Sequence, residues 1–216
     1  CMRYLTLQRL RKKKAAAMLP LAVLYLLLPG IILMFNFHYR EEPEVFQRIV
    51  LQQLHVWIPL FSVWWILLLF HDFVDCEGNE LLYLYHKPLY FLKSLCLSSV
   101  LYSVAVTLFF VVFQRFVPVG FFVLLQLVVE IFVISSLAYF LCFLLQNTGA
   151  CFLLITAYSF YIILFDQLRI LRFMSIFPEN AAAGADNIRL IQMSLPAAML
   201  FLAAGFICSR FRRILK

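Results

Sequence analysis

Few side chains in this 216-residue chain have both the type and the surroundings for chemistry. Glu130 is the first. It is the one formally charged residue near the middle of a long apolar run, with Gln126 one helical turn before it. A carboxyl group inside a membrane is costly and marks a functional site by default. The alternative is a protonated or hydrogen-bonded Glu facing a neighbouring helix, and both readings stay open. His71 and Asp72, with Asp75 four residues after His71, could present a metal with ligands from one helical turn. No third ligand is evident, so no metal is expected. His38, His55 and His86 fall at scattered depths, which does not suit a haem ladder. Ser99, Ser103 and Thr107 recur every four residues and so share a helix face. Such a row of small hydroxyl residues lets helices approach closely, or it lines a polar path.

Several chemistries lack their motif. There is no GxxxxGK[ST] loop to hold a nucleotide, and no GxSxG or HExxH. No catalytic residue and no cofactor in this chain are therefore expected, and the chain does not read as an enzyme.

The elements that must position these residues follow from composition. The chain is 65% hydrophobic and 13% charged, with 24 Phe and 10 Tyr. Soluble domains are nearer half apolar and a quarter charged. The expected object is an all-α, polytopic membrane protein in the cell membrane. The net charge of +7 does not point to nucleic acid, because the basic residues gather at the chain ends instead of on a soluble face. Six cysteines occur without a CxxC, and four lie in or beside apolar runs, so no disulfide is expected.

Taken in order, residues 1–14 read as an interfacial amphipathic helix. Tyr4, Leu5, Leu7 and Leu10 form its apolar side, and Arg9, Arg11, Lys12, Lys13 and Lys14 meet anionic head groups. Residues 15–216 read as a six-span domain, with spans at about 15–37, 51–70, 95–113, 121–145, 150–165 and 188–208. Pro20, Pro29 and Gly30 predict a kink in the outer half of the first span. Asn36–Val50 reads as a polar loop, and Gln52, Gln53 and His55 as the outer end of the second span. The fifth span is short. Residues 166–187 are too apolar for a plain loop and too charged for a span, and read as a re-entrant or interfacial hairpin broken at Pro178. With both ends inside, the inner segments carry twelve Lys and Arg against six outside. That bias places both termini in the cytoplasm, together with residues 72–93.

That segment is the longest polar interruption on the inner side, and it holds Asp72, Asp75, Glu77 and Glu80. Its stretch EGNELLYLYHKP resembles the segment after the second span of ABC-2 type transporter permeases. The matching residues are Glu77–Gly78, Glu80, the Leu81, Leu82 and Leu84 run, and Pro88. Glu80 sits two residues after Gly78, and the Gly-Lys pair often found further on is missing, with only Lys93 following. The N-terminal amphipathic helix, six spans, inner termini and hairpin before the last span are also similar to that family.

The resemblance implies a membrane permease subunit of an ATP-binding cassette exporter. It would work by alternating access, paired with a separate ATPase subunit that holds ATP and Mg2+ and with a second permease copy or homologue. It implies that Asp72, Asp75, Glu77, Gly78, Glu80, Leu82, Tyr85 and Pro88 form a coupling helix docked on the ATPase. By the same analogy Glu130, Trp64, Tyr158 and Tyr161 belong to the translocation path. The aromatic content suits an amphipathic cargo such as a lipid, a peptide or a hydrophobic drug-like molecule. Two alternatives stand beside it. A membrane subunit of an uptake system needs a polar pocket near the outer face, for which only Gln52, Gln53 and His55 are available. An intramembrane enzyme needs two reactive groups at one depth.

Overall fold

The computed structural model describes residues 14–39, 42–75, 88–113, 120–165 and 184–215. All the regular structure among them is helical. The first rod comprises α1 (Lys14–Ala22), a π-helical segment (Val23–Leu27) and α2 (Leu28–His38). Then come α3 (Pro43–Val74), α4 (Pro88–Phe113), α5 (Phe121–Leu145), α6 (Thr148–Phe165) and α7 (Gly184–Leu215). Five apolar helical stretches are long enough to cross a bilayer: the first rod and parts of α3, α4, α5 and α7. The 18 residues of α6 cover about 27 Å, a little less than a hydrocarbon core of about 30 Å.

Several boundaries lie outside the expected spans. α3 begins at Pro43, so the C-terminal half of the expected loop Asn36–Val50 is helical. Proline suits the first helical position because its missing N–H would be unpaired there anyway. The helix is 32 residues long, about 48 Å, which exceeds a hydrocarbon core of about 30 Å. α4 likewise starts on a proline, at Pro88 instead of Leu95. α7 runs Gly184–Leu215, which takes residues 184–187 out of the expected hairpin. The rest of that hairpin, residues 166–183, lies outside the described residues, as do residues 1–13 of the N-terminal helix.

A π-helical segment, Val23–Leu27, lies between Pro20 and Pro29 in the middle of the rod. Pro20 has no N–H to give the carbonyl of Ala16 one turn earlier. Trp64 Nε1 on α3 donates to that carbonyl instead, at 2.8 Å, and Trp65 Nε1 donates to the Ala17 carbonyl at 2.8 Å. Further along the rod, the Tyr25 hydroxyl donates to the Ala105 carbonyl of α4 at 2.8 Å. The backbone fault made by Pro20 is thus also an attachment point.

α5 is the central helix and packs against α3, α4, α6 and α7. One core cluster joins α3, α4 and α5 to the first rod through Leu24, Leu28, Ile58, Tyr102, Leu127 and Ile131. A second joins the other ends of α3 and α5 to α4 and α6 through Phe70, Phe73, Phe91, Tyr139 and Phe143. α7 meets α5 by a narrow stripe of small residues, Ser194, Ala198, Gly205 and Ser209, all buried. Small residues let helix backbones come close where lipid supplies no hydrophobic drive between helices. Tyr139 Oη donates to Ser209 Oγ at 3.2 Å across this contact, and Ser209 Oγ donates to the Phe206 carbonyl at 2.8 Å. Met199, Leu200 and Phe211 on the rest of α7 are exposed, as lipid-facing residues would be.

Candidate functional site

The strongest site lies where α3 crosses α5. Gln126 and Glu130 are one turn apart on α5, and Gln126 Nε2 donates to Glu130 Oε1 at 2.9 Å. The other carboxyl oxygen, Oε2, lies 2.7 Å from His55 Nδ1 on α3, a charge-assisted distance. His55, Gln126 and Glu130 are 2%, 2% and 1% exposed. Pro59, four residues after His55, has no N–H for the His55 carbonyl, so the backbone ladder of α3 lacks one bond beside the site. Ser62 Oγ donates to the Pro59 carbonyl at 2.6 Å and approaches Ser135 Oγ of α5 at 3.4 Å. Two polar atoms of the site, His55 Nε2 and Gln126 Oε1, have no hydrogen-bond partner among the described residues.

Glu130 was singled out by sequence, and of its two readings the contact with a facing helix is observed. His55 was not linked to it. Counting the second span from Leu51 places His55 at its outer end. Counting from Pro43 puts it about 18 Å along α3, while Glu130 is about 14 Å along α5. The three residues available for the outer polar pocket of an uptake subunit have separate surroundings. Gln52 is exposed, Gln53 Oε1 accepts from Trp57 Nε1 at 2.8 Å, and His55 turns to Glu130.

The second arrangement is at the opposite end of α3. Asp75 follows the last turn of α3 and reaches the start of α6. Thr148 N–H donates to Asp75 Oδ1 at 3.1 Å, and Thr148 Oγ1 donates to Asp75 Oδ2. A carboxylate here satisfies an unpaired N–H and complements the positive end of the helix dipole. Asn147 Oδ1 accepts the Ala150 N–H at 2.9 Å in the same first turn. Gln146 ends α5 with φ 58°, the left-handed conformation that closes a helix. His71 Nδ1 stands 3.4 Å from Asp75 Oδ2. Within the suggested His71, Asp72 and Asp75 grouping, His71 and Asp75 therefore join a network at the helix end. No cluster of three or more His, Cys, Asp or Glu able to hold a metal occurs among the described residues.

The ends of α3 and α4 on either side of residues 76–87 are fixed by aromatic packing. Phe73 meets Phe91 edge-on with centroids 4.8 Å apart, and Phe70 meets Phe143 at 5.6 Å. Phe91 and Tyr139 both pack on Phe143, at 5.2 and 5.1 Å. Of the residues expected to form the coupling helix, Asp72 and Asp75 stand at the end of α3 and Pro88 opens α4. Glu77, Gly78, Glu80, Leu82 and Tyr85 lie outside the described residues, as do Arg9, Arg11, Lys12 and Lys13. Lys14 is the first residue of α1.

The residues expected along a path have different surroundings. Glu130 is paired with His55. Trp64 holds α1 and packs edge-on to Phe152 at 5.7 Å. Tyr158 is partly buried against the second core cluster, and Tyr161 is exposed. The serine row on α4 bonds to its own helix: Ser103 Oγ donates to the Ser99 carbonyl at 2.8 Å and Thr107 Oγ1 to the Ser103 carbonyl at 2.9 Å. The hydroxyls of Ser103 and Thr107 are thus occupied within the helix, whereas Ser99 Oγ is buried and has no hydrogen-bond partner among the described residues. Cys96, Cys142, Cys151 and Cys208 all carry free thiols.

No family model, curated protein or solved structure matches the chain.

Proposed function

We propose that this chain is the membrane permease subunit of an ATP-binding cassette exporter, of the ABC-2 type, with six spans and both termini in the cytoplasm. A separate ATPase subunit binds ATP and Mg2+, and a second permease copy or homologue completes the transporter. The cargo is amphipathic. One observation carries this proposal: the acidic segment 76–87 begins and ends on helix roots locked together by Phe70, Phe73, Phe91 and Phe143. A push on such a segment moves α3 and α4 as a unit instead of being lost in side-chain motion, because close-packed aromatic cores transmit displacement. Acidic residues on the segment give it electrostatic complementarity to a basic groove on the partner. The bias of basic residues toward the inner segments supports the orientation.

The test is affinity purification of the chain from its native membrane. An ATPase subunit with a phosphate-binding loop should come down with it and be lost on Glu77→Arg or Glu80→Arg. Retention of that subunit by both variants, or its absence from the wild type, refutes the proposal.

An enzyme acting inside the bilayer is favoured by one observation, the meeting of His55 and Glu130 at the same depth. A general acid–base pair needs that contact. It would turn over its substrate without an ATPase, which separates it from the exporter.

A further inference from the structure

We propose that Cys142 and Cys151 form an oxidisable dithiol, and that its disulfide staples α5 to α6 just beneath the turn that joins them. Both are free thiols and both are 0% exposed. Cys142 sits in the last turn of α5 and Cys151 in the first turn of α6. The packing brings their sulfurs to one place. Cys151 Sγ donates to the Ala138 carbonyl at 3.5 Å. Within α5 that same carbonyl faces the N–H of Cys142, one turn on. Helical side chains lean toward the N-terminus, so the Cys142 thiol lies back over the turn that begins at Ala138. The two thiols are accordingly within hydrogen-bonding reach of each other.

The surroundings decide what such a pair can take. Among the described residues no third His, Cys, Asp or Glu completes a metal-holding group. A soft monovalent ion held by two thiolates alone would carry net −1 into a core cluster that includes Phe70, Tyr139, Phe143 and Ile155. The Asp75 carboxylate lies near enough to Cys142 to oppose that charge. Buried charge without a partner is costly. A disulfide is uncharged and leaves this apolar cluster neutral. Oxidation, not metal binding, is therefore the chemistry the pair is placed for.

The oxidant class is a peroxide, which is little larger than water. The pair lies one turn below the exposed Gln146, Asn147 and Gly149. One sulfur takes an oxygen of hydrogen peroxide and becomes a sulfenic acid; the O–O bond breaks and the other oxygen leaves as water. The second sulfur then attacks the first. The S–O bond breaks, and its oxygen leaves as a second water that carries the proton of the second thiol. The two thiols are oxidised by two electrons and the peroxide is reduced by two. The new bond closes a short loop over residues 143–150. It ties the start of α6, which Asp75 already caps, to the end of α5. The redox state of the pair thus sets how firmly α6 is held.

Full-length protein with Cys1→Ser, Cys76→Ser, Cys96→Ser and Cys208→Ser keeps the pair alone, and is treated with excess hydrogen peroxide in lipid nanodiscs. Its intact mass should fall by about 2 Da, with the peptides holding Cys142 and Cys151 joined, and dithiothreitol should restore it. A pair that stays reduced, or sulfurs that gain oxygen without joining, overturns the proposal. Peptide mapping of the wild type gives the same reading if the four-fold variant does not fold. Hydrogen exchange is then compared before and after oxidation at the Ala150 and Cys151 amides, which bond Asn147 Oδ1 and the Asn147 carbonyl. Exchange should slow at least about ten-fold in the oxidised form. An unchanged rate in protein shown to carry the disulfide overturns the hold on α6.

Discussion

Gly205→Ala tests how α7 is held. A Cβ built on Gly205 lies 2.5 and 2.6 Å from Tyr139 Cδ1 and Cε1, and 3.3 Å from Phe140 Cα. Carbon atoms rest at about 3.5–4.0 Å, so roughly 1 Å must be found. The ring cannot supply it. Tyr139 is fully buried, is packed on Phe70 and Phe143 at 5.6 and 5.1 Å, and is tied at its hydroxyl to Ser209. α7 must therefore move outward. Overpacking of this kind costs about 1–3 kcal/mol. Losing a hydrogen bond between membrane helices adds about 0.6 kcal/mol. The gain in helix propensity from Gly to Ala returns about 0.8–1.0 kcal/mol, so a net loss near 1–2 kcal/mol is expected. Gly30→Ala is the control, since nothing lies within 4 Å of its Cβ position. Reversible unfolding in mixed micelles gives the free energies. In the double-mutant cycle with Tyr139→Ala, Gly205→Ala should cost nothing once the ring is gone, a coupling of at least about 1 kcal/mol. If Gly205→Ala is as well tolerated as Gly30→Ala, the close approach of α5 and α7 is wrong.

Trp64→Phe should destabilise by about 1–2 kcal/mol, because the Ala16 carbonyl loses the donor that replaced the missing Pro20 N–H. Adding Pro20→Ala should recover most of that loss in the same unfolding assay, by restoring the backbone donor. Asp75→Ala should cost about 0.5–2 kcal/mol through loss of the cap on α6. It should also speed hydrogen exchange at the amides of the first turn of α6, and no change there refutes the role. His55→Leu and Glu130→Leu should each cost about 3–5 kcal/mol, since each strands a buried polar partner. The double variant should be more stable than either single one, and additive losses would refute the pairing.

Legibility in the sequence divides along physical lines. Apolar run length is a strong signal, so the all-helical membrane architecture and most helix centres were readable. Helix ends were not, because Val45, Phe46 and Ile49 continue an apolar face through a stretch whose Arg40, Glu41, Glu42 and Glu44 look like a loop. That shift of two turns is what separated His55 from Glu130 on paper. Gln126 and Glu130 at a spacing of four were visible, but their partner is 75 residues away, and helix periodicity carries no information on which helix faces which. The role of Asp75 was hidden for the same reason. An acidic loop and a cap for a helix that starts 73 residues later have the same local sequence.

Three of the tertiary contacts made by α3 share one logic. In lipid, apolar faces have little preference for one another over acyl chains, so hydrophobicity makes helices without choosing their neighbours. Groups that cannot be satisfied within their own helix make that choice. Pro20 leaves the Ala16 carbonyl short of a donor, and Trp64 of α3 supplies it. The first N–H of α6 has no intrahelical acceptor, and Asp75 beyond α3 accepts from it. Glu130 cannot stay alone in the core, and His55 of α3 meets it. All three deficits are answered from α3, at its middle and its far end. α3 is therefore the helix that fixes the register of the first rod, α5 and α6, and a displacement applied at its root beside Asp75 reaches each of them through a hydrogen bond.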